Sequence, residues 1–427
     1  MSKDLKNILI TGMALFSTFF GAGNLIFPPT LGYMAGDKWG YIGLGFLITC
    51  IGLPLFGIIS VALSGGKTED LTRKISPTFG KILCSIIMLS IGPLFAVPRT
   101  GATTFELGVL PLFPKVNSIV VSIIFFGITY ILAVNESSVV DRIGSILTPF
   151  LLITLGIIIV KGILFPIGTP VNTNIEGAFS KGFTEGYQTM DALGSIILAQ
   201  MFIGDLFLKG YKDRKTQINI IMKAGIVSAV CLGVVYLGLL YIGATSSGVV
   251  DQDFTRTTIL VFISQRLLGD SSKIIFGGAI AVACLTTSVG LTATTGNYFN
   301  KLLENRISYK AIVLLTCIVS TIMSSYGVES IVKLAIPILQ IIYPVVIVLI
   351  ALSMFSKYIK NKGVYSGAVY GAMIISIVNS LNSAGITSIF SGIIKMLPFY
   401  AGGFSWILPA VVGGIIGGVF FPSSESK

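Results

Sequence analysis

Residues 7 to 36 run without a charge for thirty positions, from Asn7 to Gly36. That is long enough to cross a bilayer, since an α-helix needs about 20 apolar residues to do so. Yet the middle of the run reads Ser17-Thr-Phe-Phe-Gly-Ala-Gly-Asn-Leu-Ile-Phe-Pro-Pro29. Glycine loosens a helix, and proline removes a donor and clashes with the preceding turn. Inside lipid, opened backbone survives only where protein or a polar cavity satisfies the freed N–H and C=O groups. The segment is therefore expected to cross as two half-helices around Gly21-Ala22-Gly23-Asn24. The bland alternative is a glycine-lined helix–helix groove. It accounts for Gly21 and Gly23 but not for Asn24, Pro28 and Pro29.

The same property extends along the chain. Of 427 residues, 53% are hydrophobic and 11% charged, against about 25% charged in soluble domains. The reading is an all-α polytopic membrane protein, lying in a lipid bilayer as one transmembrane domain over 1–427. No GxxxxGK[ST] loop occurs, which argues against direct use of ATP. The net charge of +11 resides in short loops between apolar runs, so it reports topology and not nucleic acid. The five cysteines stand singly in apolar runs as packing residues, and histidine is absent. Any proton relay would then use carboxylates. The first apolar run is too long for a cleavable signal.

Spans are expected within 7–36, 41–64, 82–105, 116–135, 143–160, 186–204, 224–250, 274–300, 311–328, 334–356, 364–381 and 404–421. A polar connection is expected over 166–185 and a short amphipathic helix over Thr255–Leu267. Placing the N-terminus in the cytoplasm puts 19 of the 29 basic residues on cytoplasmic segments. The positive-inside bias thus favours both termini in the cytoplasm of a cell-membrane protein.

The sixth span, Gly186-Tyr-Gln-Thr-Met-Asp191-Ala-Leu-Gly194, is interrupted like the first. An ionised Asp at that depth costs at least about 2.5–3.5 kcal/mol, so Asp191 must face a cavity, a cation or a donor. Interruptions at spans one and six imply two five-span units, 7–165 and 180–356, followed by two further helices over 364–421. A unit with an odd number of spans is inverted on repetition. Paired broken helices in inverted halves point to a secondary transporter's central site.

Three blocks together are similar to the BrnQ-type branched-chain amino acid–cation symporter family. They are Phe19-Phe-Gly-Ala-Gly-Asn-Leu-Ile-Phe-Pro-Pro29, Gly92-Pro93 with Pro98-Arg99-Thr100-Gly101-Ala102, and Gln188-Thr-Met-Asp-Ala-Leu-Gly194. The resemblance covers nearly the whole chain. It implies sodium-coupled uptake of leucine, isoleucine and valine on a leucine-transporter (LeuT) type fold with about 12 helices.

The second half-helix of span one is expected to begin near Gly23. Its N–H groups and positive dipole end would suit a substrate carboxylate, with Gly21, Ala22, Gly23 and Asn24 as the binding set. Thr189, Met190, Asp191, Ala192, Leu193 and Gly194 would line the break in span six. Asp191 has several readings: ligand for the substrate ammonium, help for the cation, a proton carrier, or an ion-pair partner of Arg99. Arg99 lies in the outer part of its span and could also snorkel to the interface. By similarity to the LeuT pattern, the carbonyls of Ser17 and Phe20 would bind sodium. Ala283, Thr286 and Thr287 share a helical face and would complete that site, with Ser288 as an alternative. Against this, threonines in membrane helices often bond their own backbone. Asp205 and Glu106, near span ends, read as solvated.

The expected activity is sodium-coupled import by alternating access, with no catalytic residues and no cofactor beyond sodium as coupling ion. Alternatives are H⁺ coupling or another small neutral amino acid. A channel would need pore-lining symmetry or charged rings, and an intramembrane enzyme would need paired carboxylates; neither is present. The sequence names no protein partner.

Overall fold

A computed structural model describes residues 3–135, 152–249, 254–270, 272–385 and 391–421. Among them no strand occurs. The fifth expected span falls partly, and Arg142 and Lys427 wholly, outside the described residues. Helix α1 is Lys3–Phe19 and α2 Ala22–Ala35; they are the two halves of span one. Span two is α3 (Trp39–Leu47) and α4 (Leu53–Ser64), joined through a π-turn. A short α5 (Thr68–Thr72) leads to α6 (Pro77–Leu89) and α7 (Ala96–Thr103). Those two form span three, kinked at Gly92-Pro93, where Gly92 leaves helical geometry at ψ −118°.

Helices α8 (Ser118–Val134) and α9 (Leu152–Leu164) follow. Then come α10 (Ala178–Glu185) and α11 (Asp191–Leu208), the halves of span six. Span seven is α12 (Arg214–Thr245), and α13 (Arg256–Leu268) is the amphipathic helix expected from the sequence. The rest is α14 (Ser272–Leu302), α15 (Tyr309–Ser324), α16 (Val328–Met354), α17 (Lys362–Ser383), the short α18 (Ser391–Met396) and α19 (Ile407–Phe420). Among the described residues, seven helical stretches are long and apolar enough to cross a membrane, and four apolar helices are shorter. With the interrupted pairs joined, the elements group into twelve crossings.

One expectation needs correction. Span six begins at Ala178 and not at Gly186, because the presumed polar connection contains α10. Ser180, Lys181, Thr184 and Glu185 disguise a half-helix that is amphipathic, with Ala178 and Gly182 buried.

The packing is symmetric between the halves. Helices α1 and α2 both lie on α12, while α10 and α11 lie on α3 and α4. Each half's broken span thus packs on the other half's second span. Glycine makes these crossings close. A β-carbon on Gly32 of α2 would stand 1.9 Å from Leu240 O of α12, and one on Gly243 would stand 2.0 Å from Pro29 O. The counterpart crossing has Gly182 of α10 at 1.9 Å from Ile42 O and Gly45 of α3 at 2.0 Å from Phe179 O. Backbone rests on backbone at both, so the two breaks are held face to face at the centre.

Candidate functional site

Both breaks arise from local backbone chemistry. In span one the helix ends at Phe19, and Gly21 is extended (φ −106°, ψ −175°) as an N-cap without a side-chain hydrogen bond. Asn24 N donates to Gly21 O at 3.1 Å, while the amides of Ala22 and Gly23, at the start of α2, have no hydrogen-bond acceptor among the described residues. The half-helix starts at Ala22, one residue earlier than expected. In span six a 3₁₀ turn over Gly186–Thr189 ends on Met190, which is left-handed (φ 61°, ψ 13°), and α11 starts at Asp191. A left-handed Met costs of order 1–3 kcal/mol, which the surrounding packing must hold in place. Asp191 then sits in the first turn of α11, where the helix dipole favours a carboxylate.

The breaks meet through Asn24. Its amide donates to Asp191 Oδ2 at 2.7 Å and to Phe19 O at 2.7 Å, and it also reaches the Tyr236 hydroxyl on α12. Asn24, Asp191 and Tyr236 are all buried. Ala22, Gly23, Thr189, Met190, Ala192, Leu193 and Gly194 are buried around them, while Gly21 is half-buried. Thr189 Oγ1 donates to Gly186 O at 2.9 Å. Gly194 is buried, yet a β-carbon built there meets no atom within 4 Å. Open space therefore borders the span-six break.

The sequence placed Arg99 at the interface or against Asp191. In the structure Arg99 is away from the interface and is not within 4.0 Å of Asp191. Arg99 is 2% exposed, its Nη1 donates to Gln188 O at 2.6 Å, and its guanidinium lies 5.3 Å from the centre of the Phe27 ring. Its Nη2 lies over the bare backbone of Gly23, 2.7 Å from where a β-carbon would be. Among the described residues neither Arg99 nor Asp191 is in an ion pair. Arg99 Nε, Gln188 Oε1 and the hydroxyls of Tyr187 and Tyr343 are buried without a hydrogen-bond partner. The two tyrosine rings stack at 4.2 Å.

Helix α14 lies against the span-one break, with the Thr287 methyl 3.7 Å from a β-carbon position on Gly21. Thr286 and Thr287 both donate to Ala283 O, at 2.9 and 3.0 Å. Their own oxygens remain able to accept or ligate. Ser17 is exposed and Phe20 buried at the end of α1. Ser288 is turned away toward α8, 3.2 Å from Thr129 Oγ1.

Helix α13 packs against α2 and α14. Arg256 bonds Glu329 at 2.6 Å and Glu185 at 3.3 Å, and lies 5.7 Å from the same Phe27 ring. Burial alone would lower the Arg256 pKa, but Glu185 and Glu329 raise it above the ordinary guanidinium value. The stability this gives is complete below that ordinary value and lost only as pH rises through the raised one, so the guanidinium stays charged at every working pH. Glu106, expected to be solvated, is half-buried; it accepts from Thr257 Oγ1 at 2.6 Å and from Val328 N at 2.8 Å. Asp205 is exposed and paired with Lys209, as its position at a span end implied.

Tyr236, Tyr187, Tyr343, Arg256 and Glu329 were not singled out from the sequence. A phenol inside an uncharged run is the one signal that pointed to Tyr236 and Tyr343.

Two interrupted helices joined at mid-molecule, inside a twelve-crossing helical body, define a membrane transporter of the LeuT fold. Solved structures of that fold match almost end to end. A nucleobase-cation-symport-1 family transporter, Mhp1, closed with bromovinylhydantoin bound, aligns at TM-score 0.65 and 11% identity over 96% of this chain and 91% of that one. MhsT in complex with L-phenylalanine aligns at 0.59 and 16% identity over 96% and 97%. The chain belongs to the branched-chain amino acid transport protein family, whose model matches residues 4–423. It is 41% identical to the branched-chain amino acid permease BraB of Bacillus subtilis, over 97% of this chain and 96% of the relative. It is 38% identical to the permease BrnQ of the same organism, over 98% of both. These relatives are transporters and not enzymes.

Proposed function

We propose that this protein imports leucine, isoleucine and valine across the cell membrane together with sodium, by alternating access. The observation that carries the reading is the Asn24–Asp191 bond at 2.7 Å, which joins the two helix breaks into one buried site. The α2 amides at Ala22 and Gly23 and the Asp191 carboxylate offer complementary ends for a zwitterion. The space beside Gly194, with the apolar Met190, Ala192 and Leu193 nearby, receives the aliphatic side chain. Burial contributes about 0.8 kcal/mol per methylene, too little to separate the three amino acids sharply. Sodium binds between the carbonyls of Ser17 and Phe20 and the oxygens of Ala283, Thr286 and Thr287.

Both termini lie in the cytoplasm, which puts the Arg256 ion pairs with Glu185 and Glu329 on the extracellular side. The bundle of spans one, two, six and seven, whose helices pack closely on one another, rocks against the rest, and the helices over 364–421 stand outside the repeat units 7–165 and 180–356. Proton coupling is the second reading, favoured by a buried Asp191 that has no ion-pair partner among the described residues.

Proteoliposomes decide between the two. With an inward sodium gradient at equal pH on both sides, labelled leucine should accumulate, and replacing sodium by choline should abolish accumulation. Accumulation that survives the swap and collapses with a proton ionophore would transfer the coupling to H⁺. Failure to take up any branched-chain amino acid would overturn the cargo.

A further inference from the structure

We propose that Arg99 is the receptor for the substrate carboxylate and works with Asp191 as a split charge pair that only a zwitterion completes. The proposal rests on the transport reading above and names how its site recognises an amino acid. Three observations carry it. First, Arg99 is buried in span three with one partner, the Gln188 carbonyl, while its Nε has none. A desolvated guanidinium left with donors unused is costly unless something fills them. Second, neither Arg99 nor Asp191 joins an ion pair within 4.0 Å among the described residues, so the two charges stand apart. Third, both charges stand at the same break. Arg99 holds the Gln188 carbonyl on one side of Met190, Asp191 follows on the other, and Nη2 lies directly over Gly23.

The absence of a side chain at Gly23 is what lets the guanidinium reach the α2 N-terminus; any β-carbon would meet Nη2 at 2.7 Å. A carboxylate arriving at the open amides of Ala22 and Gly23 would therefore also meet the Arg99 fork, whose planar donors suit it. The ammonium on the same carbon would face Asp191, whose Oδ2 is already oriented by Asn24. An amine would leave Arg99 uncompensated, and a 2-oxo acid would leave Asp191 so. Selection for α-amino acids follows from charge balance, and selection for branched chains from the apolar wall.

The test uses purified full-length protein in lipid nanodiscs and equilibrium binding of labelled leucine, competed by isoamylamine and by 4-methyl-2-oxopentanoate. The first keeps the leucine skeleton and ammonium without the carboxylate; the second keeps the carboxylate without the ammonium. Arg99→Gln is expected to weaken leucine by about 100-fold, the scale of truncating one partner of a buried charge pair. Isoamylamine should hold or gain, so the preference for leucine over the amine collapses. Asp191→Asn should collapse the preference over the oxo acid instead.

Leucine binding by Arg99→Gln within threefold of wild type overturns the proposal. So does equal loss of leucine and amine, which marks a residue that only supports the fold. If Arg99→Gln does not fold, Arg99→Lys decides: about tenfold weaker leucine with the amine still rejected is expected, because an ammonium lacks the planar fork. Unchanged binding overturns. A wild-type protein that prefers another neutral amino acid corrects the cargo alone, and the same ratios are then read with that amino acid and its amine.

Discussion

At the site, Asn24 has more acceptors in reach than its amide has hydrogens: Phe19 O, Asp191 and Tyr236. It holds the cut end of α1, the carboxylate of α11 and a phenol of α12 at one point. Gly194 has the opposite role, since what matters there is the space its missing side chain leaves. Gly194→Ala adds one methyl into that space without meeting a neighbour. One methylene in an apolar pocket changes discrimination by about 10–200-fold. The variant should therefore fold normally and lose leucine and isoleucine by roughly tenfold relative to valine, read as the ratio of competition constants. An unchanged ratio would place the aliphatic side chain elsewhere. The residues of the two breaks were legible in the sequence because Gly, Asn, Pro and Asp are expensive inside an apolar run. Arg99 was visible as a charge, but its place was misjudged, since a sequence tells depth along a helix and not which neighbours enclose it. Tyr236 and Tyr343 passed unnoticed because a tyrosine in a membrane helix is ordinary until the fold sets it against Asn24 or Tyr187.

Helices are set by how closely their backbones can approach. The α2–α12 and α3–α10 crossings exchange glycines in the same reciprocal way, Gly32 with Gly243 and Gly45 with Gly182. The pseudo-symmetry of the fold thus has a packing counterpart that letter-by-letter comparison of the halves does not reveal. Each contact is against a carbonyl of the facing helix, which cannot swing aside as a side chain would. Gly32→Ala and Gly182→Ala should each destabilise the protein by about 1–3 kcal/mol, the usual cost of overpacking. Gly127→Ala, on α8 with open space around it, serves as the neutral control. Thermal unfolding of the detergent-solubilised variants, followed by loss of the monodisperse elution peak, measures the ranking. Equal melting for all three would mean the crossings yield freely. Span number, order and the amphipathic α13 were legible from hydropathy and loop charge. The first half of span six was not, because a half-helix lining a polar site carries Lys181, Thr184 and Glu185 and looks like a loop.

For the whole molecule, transport requires that ion and substrate stabilise the same arrangement of the two halves. Helix α1 packs on α12, and α14 lies against the break that ends α1. An ion held between α1 and α14 would tie the moving and static parts together at the point where substrate binding organises α2. Coupling of this kind is a free energy shared between two sites, and it is reciprocal. The geometry gives unequal parts to the α14 hydroxyls of Thr287 and Ser288. Thr287 faces the break at Gly21, whereas Ser288 is engaged with Thr129. Thr287→Ala should raise the sodium concentration for half-maximal leucine binding by about tenfold or more, as expected for 1–3 kcal/mol of coupling. It should leave leucine affinity at saturating sodium nearly intact. Ser288→Ala should leave the sodium dependence unchanged. Saturating leucine must then lower the sodium constant of the wild type by the same factor by which saturating sodium tightens leucine. Thr287→Ala should weaken sodium alike with and without leucine and leave that shared factor nearly unchanged. Sodium titrations of leucine binding in nanodiscs, repeated as leucine titrations at fixed sodium, measure both sides of this linkage. A Thr287→Ala protein with unaltered sodium dependence would remove α14 from the ion site. A response confined to Ser288→Ala would require that helix to turn between states.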